Sequence, residues 1–371
     1  KLVVRDCLSR CLIPSEFEDQ YAHKPTRSTT CTLVDFTYRM SCLLETNKYV
    51  RCVFIDFSQA FDRVDHTILV EKMMSLDVPP FVVKWIVSFL SGRTQTTKIA
   101  SVLSSHRCIN RSLVQGSGIG PVLFLMFARD LKALDVLNYI LKYADDCNLI
   151  VPEAAKTSAE VEMQNVLNWA TKNKMIVNLT KTKEMVFTRP NPRLSILPPV
   201  MSNIIRVNSV RLLGVTFNSA LNFSEHVDEI VRIGNQRMYL ISQLKKQGLN
   251  IRGCDAVFQS IVLSKLTYAL PVFYGYLNEH SRCIISALLR KAKRWQLTDQ
   301  LYDYDDIAGK MQRQLFFNSC KEWHCLSHLY SENNNSYQNS LRTRGHNFIL
   351  PFFKFDCNKR CFIVRLLYMY K

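Results

Sequence analysis

Two kinds of periodicity divide the chain. Up to about Leu221, short β-branched and aromatic runs alternate with stretches of helical spacing, and beyond it the spacing is helical. The polar segment Lys24-Pro25-Thr26-Arg27-Ser28-Thr29-Thr30 leads into the apolar-periodic Leu33 to Leu44, which predicts a loop feeding a helix with a Ser or Thr cap. Tyr49 to Phe57 is bounded by polar residues and reads as a strand with an acid, Asp56, near its end. Helices are predicted from Asp65 to Met74 and from Phe81 to Leu90, the second opened by Pro79-Pro80 and closed by Gly92. Arg93 to Leu113 alternates loosely as strands until Gln115-Gly116-Ser117-Gly118-Ile119-Gly120-Pro121 stops it, and Pro121 suits the first turn of a helix to about Leu131. The apolar runs Leu137 to Leu141 and Leu149-Ile150-Val151 flank Tyr143-Ala144-Asp145-Asp146, a hairpin with acid at its tip.

Thr157-Ser158-Ala159-Glu160 fits a capping box for a helix to about Asn173. Lys183 to Thr188 and Ser209 to Phe217 each read as a strand, separated by the Pro-rich, extended Arg189 to Val200. Helices then cover Ser224 to Gln247, Asp255 to Tyr268 and Arg282 to Arg294. Asn333-Asn334-Asn335 is a loop, and no internal repeat is visible.

Composition narrows the classes. At 371 residues with 47% hydrophobic and 11% aromatic content, the chain can pack cores for two or three domains and is not of the disordered kind. No apolar run approaches the roughly 20 residues needed to cross a bilayer, and Lys1-Leu2-Val3-Val4-Arg5-Asp6 does not read as a signal peptide. The sequence does not open with Met, so we expect a piece of a longer protein. Thirteen cysteines follow no repeating frame, and Cys42, Cys52 and Cys147 sit in apolar or strand-like runs, which points to reduced thiols and an intracellular protein. The net charge of +17 predicts a polyanionic partner, nucleic acid before membrane, because the basic residues are not gathered on one amphipathic helix. Between Arg232 and Asp299 eleven Lys or Arg stand against three Asp or Glu, although a solvated helix face has the same composition.

The candidate chemistry is carboxylate chemistry. Two adjacent carboxylates repel each other, so a pair at a hairpin tip calls for a cation, commonly a divalent metal; the rival reading is an Asp-rich turn bonded to its own backbone. With Asp56 ending another strand, the parts needed to surround two Mg²⁺ ions are present. In two-metal phosphoryl transfer one ion activates the attacking hydroxyl and the other neutralises the leaving pyrophosphate, and both need hard oxygen ligands.

Phe54-Ile55-Asp56-Phe57-Ser58-Gln59-Ala60-Phe61-Asp62, then Gln115-Gly116-Ser117-Gly118-Ile119-Gly120-Pro121, then Tyr143-Ala144-Asp145-Asp146 resemble, in this order, the palm motifs of reverse transcriptases, and more narrowly those of non-LTR (LINE-type, jockey-like) retrotransposons. The resemblance extends to Asn178-Leu179-Thr180-Lys181-Thr182 and Leu212-Leu213-Gly214-Val215, from about Gln20 to Tyr276. It implies an α+β right-hand polymerase with an antiparallel-sheet, RRM-like palm, partial fingers and a helical thumb. The boundaries would be 1–48 for the fingers, 49–220 for the palm, 221–300 for the thumb and 301–371 for an extension. The implied reaction is RNA-templated DNA synthesis with two Mg²⁺, Mn²⁺ being the alternative ion, on an RNA template, a DNA primer and deoxynucleoside triphosphates, away from membranes.

Carried over by position, Asp56 and Asp145 are shared metal ligands, Asp146 an auxiliary carboxylate, and Lys181 the proton donor to pyrophosphate. Phe57, Phe61, Gln115, Gly116 and Tyr143 bind the nucleotide, with Phe61 the steric gate against a 2′-hydroxyl. Lys24, Arg27, Leu213 and Gly214 meet template and primer. Read from the residues alone, Phe61 also suits plain core packing and Lys181 a solvated lysine. Ala22, His23 and Val114 depart from the family pattern, and further fingers segments and an endonuclease domain would lie upstream, so the triphosphate clamp is expected to be incomplete here.

Two rival functions remain at this level. An RNA-dependent RNA polymerase shares the palm but carries a polar residue where Phe61 stands, and a degenerate fragment would bind nucleic acid without catalysing anything. Cys320, His324, Cys325 and His328 fall within nine residues but fit no closed zinc knuckle and suit one amphipathic helix; Cys357 and Cys361 are no closer to one. Arg342-Thr343-Arg344-Gly345-His346 reads as a solvated loop or a nucleic-acid contact.

Overall fold

The structure is a computed structural model that describes residues 17–76, 78–189, 197–331 and 346–371. The expected loop at Asn333-Asn334-Asn335, the segment Arg342-Thr343-Arg344-Gly345 and residues 190–196 of the Pro-rich stretch lie outside the described residues.

In chain order the helices and strands are α1 (Thr29–Thr46), β1 (Tyr49–Ile55), α2 (His66–Met74), α3 (Pro80–Leu90), the short strands β2 (Thr94–Gln95), β3 (Lys98–Ile99), β4 (Val102–Leu103) and β5 (Arg107–Cys108), then α4 (Gly120–Phe127), β6 (Tyr139–Tyr143) and β7 (Asp146–Pro152). There follow α5 (Ala159–Lys172), β8 (Lys183–Thr188), β9 (Ile205–Arg206), β10 (Ser209–Leu212), β11 (Val215–Asn218), α6 (Ser224–Lys246), α7 (Ile251–Phe258), α8 (Ser264–Thr267), α9 (Leu270–Phe273), α10 (Glu279–Arg294), α11 (Tyr304–Ser319), α12 (Asp356–Lys359) and α13 (Phe362–Met369). The caps are those the sequence chemistry calls for: Ser28 accepts from the Cys31 N–H, Asp65 from Thr67 and Ile68, and Pro80 opens α3. At α5 the expected capping box shifts by one residue. Ser158 is the cap and accepts from the Val161 N–H, so Glu160 sits inside the first turn.

The described residues form two compact units, one of 17–24, 51–184 and 198–206, the other of 25–50, 185–189, 197 and 207–371 less the undescribed stretch. The first is built on a five-stranded sheet in the order β6-β7-β1-β8-β9, with β6 and β7 antiparallel and β8 and β9 parallel. One face of β1 and the helices α2 to α5 enclose its core, including Val53, Ile55, Leu69, Ile86, Phe124, Leu149 and Val166. Under the same sheet lies a buried charge network. Arg51 pairs with Glu184 and Glu160, each at 2.8 Å, and Arg206 pairs with Glu184 at 2.9 Å. Glu184 is fully buried and Arg51 nearly so.

In the second unit α1 is the central element, packed by α9, α12 and α13. Phe36 of α1 meets Phe187 and Phe217 edge-on at 5.9 and 5.3 Å. Two sequence expectations change here. Ser209 to Phe217 is not one strand but the antiparallel hairpin β10–β11, because Leu213 and Gly214 both take positive φ (45° and 85°) and reverse the chain. The run Ile251–Tyr276 is, by length and composition, long and apolar enough to cross a membrane, contrary to the expectation of no such run. Its apolar face is occupied within the protein: Phe258, Val262, Leu266 and Phe273 are fully buried, and the run packs on α6.

Removing Glu184 takes from the buried Arg51 guanidinium the fully buried one of its two carboxylate partners, a change that typically costs about 3–5 kcal/mol. Urea denaturation of Glu184→Ala is expected to show a loss of that order, and Glu160→Ala, at the exposed end of the same network, a much smaller one.

Candidate active site

Alternation along β1 decides where Asp56 points. Ile55 and Phe57 turn into the core, Phe57 meeting Trp169 edge-on at 5.9 Å, so the residue between them faces the other way. Phe57 therefore does not line the nucleotide site with its ring, as the sequence reading expected; its ring is core. The backbone of Asp56 is held on both sides by the 176–182 segment. Its N–H donates to Thr182 Oγ1 at 3.3 Å, its carbonyl accepts from Asn178 at 2.8 Å, and the Ser58 N–H donates to Ile176 at 2.9 Å.

Five register pairs zip β6 to β7, ending at Tyr143↔Asp146, and leave Ala144-Asp145 as a two-residue turn. Ala144 takes φ of 55°, a left-handed conformation that costs an L-residue roughly 1–2 kcal/mol. The side chain of Gln20 compensates. Its Oε1 accepts from the N–H groups of Ala144 (2.9 Å) and Ala22 (3.0 Å), and its Nε2 donates to the Ala144 carbonyl at 3.2 Å. Next along the strand, Lys142 exchanges backbone bonds with Asp19 and Tyr21. Its ammonium, fully buried, donates to the carbonyls of Ala128 (3.0 Å) and Leu131 (2.9 Å) and lies 3.0 Å from the Asp19 carboxylate. The hairpin tip is thus fixed from beneath by residues 19–22.

The electrostatics at the tip run in one direction. Partial desolvation, then the charges of Asp145 and Asp56, push the carboxyl of Asp146 up to about 6. The structure thus brings the three predicted carboxylates into one interacting group, two from the hairpin and one from the end of β1. Two hard oxygen donors whose charges raise the proton affinity of a third suit a divalent cation, whose charge would reverse that effect on Asp146.

Around them, Phe61 is half-buried and stacks on Phe124 at 4.5 Å. Gln115 is exposed and donates through Nε2 to Asp62 Oδ1 at 3.2 Å, while Ser112 donates to the same oxygen at 3.1 Å. A cleft of about 640 Å³ opens here, lined by Asp62, Gln95, Arg111, Ser112 and Gln115 among others. Gly116 has φ of 78° with open space where a Cβ would project. Tyr143 is half-buried at the end of β6, and Lys181 is exposed in the turn that Asn178 closes. Lys24 folds back on Phe17, its ammonium donating to that carbonyl at 3.2 Å and lying over the ring.

In the second unit, Arg27 is half-buried in the loop before α1. Leu213 and Gly214 form the tip of β10–β11, where Tyr268 donates to the Leu213 carbonyl at 2.9 Å and packs so closely that a Cβ on Gly214 would meet its ring at 3.0 Å.

An antiparallel-rich sheet whose acid-tipped hairpin neighbours a strand-terminal aspartate is the arrangement expected of a reverse-transcriptase-like fold. Residues 3–217 match the family described as reverse transcriptase (RNA-dependent DNA polymerase), and the chain belongs to it. It is similar to the RNA-directed DNA polymerase from mobile element jockey of Drosophila melanogaster, 30% identical over 251 residues that cover 62% of this chain and 26% of that one. It also resembles the jockey polymerase of Drosophila funebris (27% identity, 67% of this chain and 29% of that one) and the probable RNA-directed DNA polymerase from transposon BS of Drosophila melanogaster (26%, 77% and 33%). The chain spans between about a quarter and a third of the length of these relatives. Among solved structures, apo telomerase from Candida tropicalis is similar with a TM-score of 0.42 and 12% identity over 87% of this chain and 54% of that one.

Four contributors escaped the sequence reading: Gln20, Lys142, Thr182 and Asp62. Asp62 and Thr182 stood inside the quoted motifs without a role, and Lys142 is the one cation in the apolar run that becomes β6.

A carboxyl raised in the folded state gives up its proton first in the unfolded state. The fold therefore loses stability as pH rises from the ordinary carboxylate value of 3.8 to about 6. In metal-free protein, Asp146→Asn is expected to be more stable than the parent at pH 7, by about 1 kcal/mol once solvent screening of this exposed side chain is allowed for, with the gain gone by about pH 4. Thermal melts across that range test it.

Proposed function

We propose that this chain carries the catalytic palm of an RNA-directed DNA polymerase from a non-LTR retrotransposon. The first unit acts as the palm, and the basic helices from Ser224 onward act as the thumb. The observation that carries the reading is the convergence of the charges of Asp56 and Asp145 on Asp146, at the ends of the neighbouring strands β1 and β7. Asp56 and Asp145 would hold the catalytic divalent cations, Mg²⁺ in this reading, with Asp146 as an auxiliary carboxylate. When bound, the metal pair lowers the pKa of the primer 3′-hydroxyl and neutralises the charge on the departing pyrophosphate.

The protein's own groups place the reactants. The primer 3′-hydroxyl gives up its proton to solvent as O3′ attacks the α-phosphorus of the incoming deoxynucleotide, the bond from that phosphorus to the bridging oxygen breaks, and Lys181 would deliver a proton to the pyrophosphate as it leaves. Phe61, backed by Phe124, presents a rigid ring edge where a 2′-hydroxyl would sit. Gln115, Gly116 and Tyr143 border the nucleotide, and the positive φ of Gly116 lets backbone approach it closely. Arg27, Lys24, Leu213 and Gly214 take the template and primer side. The eleven basic residues between Arg232 and Asp299 hold the duplex through its phosphates, so affinity falls steeply as salt rises.

The test is primer extension on an RNA template. Asp145→Asn is expected to lose at least about 3 kcal/mol of transition-state stabilisation, more than a hundredfold in rate, while primer-template affinity in a filter-binding assay stays within a few-fold of the parent. Unchanged extension by that variant overturns the assignment. Phe61→Ala is expected to extend with ribonucleotides that the parent rejects, read by comparing the two nucleotide sets in the same assay.

A further inference from the structure

The chain brings together a second set of metal-binding residue types. The thiols of Cys31 and Cys325 and the imidazole of His324 place their donor atoms within 4.8 Å of one another. Cys31 and His324 are buried and Cys325 half-buried. All three belong to the second unit, and the carboxylates of the polymerase site play no part.

Two segments far apart in sequence build the cluster. Cys31 lies in the first turn of α1, where its N–H donates to the cap residue Ser28 at 3.2 Å and its sulfur receives the Ser28 hydroxyl at 3.3 Å. His324 and Cys325 lie in the tight turns after α11. Here the Cys325 N–H donates to Thr26 Oγ1 at 3.0 Å and its thiol to the Thr26 carbonyl at 3.3 Å. His324 Nδ1 lies 3.9 Å from Cys325 Sγ and accepts the Leu326 N–H at 3.2 Å, a bond that a metal at Nδ1 would replace.

Tetrahedral zinc takes sulfur at about 2.3 Å and imidazole nitrogen at about 2.0 Å, which sets its ligand atoms roughly 3.5–3.8 Å apart. Closing a group already within 4.8 Å to that spacing needs a movement of about 1 Å. Two thiolates and an imidazole select zinc over magnesium or calcium. We propose that Cys31, His324 and Cys325 form a structural Zn²⁺ site, its fourth position filled by the Ser28 hydroxyl or a water, that fastens the turn before α1 to the segment after α11. Cys320 and His328, the neighbours that made the stretch look zinc-like in sequence, are not part of it.

The full chain, expressed in zinc-supplemented medium and dialysed against metal-free buffer, is expected to retain one zinc per chain by mass spectrometry. Cys31→Ser and Cys325→Ser should lose it, while Cys320→Ser keeps it. Folding failure is separated from ligand loss by His324→Cys, which preserves a donor and should keep the metal, and by cobalt substitution in the parent, which should give thiolate-to-cobalt charge transfer and tetrahedral visible bands. Parent protein with neither zinc nor the cobalt spectrum overturns the proposal, as does loss of metal from Cys320→Ser equal to that from Cys31→Ser. None of these readouts uses polymerase activity, so the site stands or falls apart from the catalytic reading.

Discussion

Like-charge repulsion at the edge of the palm sheet is the constraint to which the surrounding chain answers. The charges of Asp145 and Asp56 disfavour the ionised form of Asp146, and a flexible backbone would relieve this by letting them drift apart. The backbone is denied that freedom. Asp56 is bracketed by Thr182 and Asn178, and the Ala144-Asp145 turn is gripped by the carboxamide of Gln20. Each such bond contributes about 1 kcal/mol net, small singly and sufficient together to keep the carboxylates in place. Alternation in β1 completes the arrangement, because the side chains that anchor the strand, Ile55 and Phe57, are those that aim Asp56 outward.

How much of this could be read beforehand follows from the range of the interactions. The strand ending at Asp56, the acid-tipped hairpin and the capped helices are local in origin, fixed by alternation, turn length and cap chemistry within a few residues, and they stand where the pattern put them. Gln20 is a polar residue in an undistinguished segment until the fold sets it against Ala144, 124 positions on. Lys142 looks misplaced in an apolar strand until Asp19 and two carbonyls surround it. Phe57 was misassigned because a motif places residues along the chain without saying which face each side chain takes. The β10–β11 reversal hid inside an apolar run whose only mark was Gly214, a residue that inside a strand pattern signals a bulge or a turn. The apolar run from Ile251 to Tyr276 was long enough to matter, and only its packing against α6 shows what its apolar face is for.

The clasp between Gln20 and the hairpin also bears on how the protein reaches its native state. A bond closing a loop of 124 residues forms only after the intervening strands and helices have condensed, since the entropy of bringing such distant points together is offset by nothing local. The hairpin itself is a near-neighbour structure that can zip early, but its left-handed turn at Ala144 has no support until the earlier segment docks. The acidic corner is therefore expected to mature last in the first unit, and the time at which its three carboxylates come together marks the completion of that unit's topology.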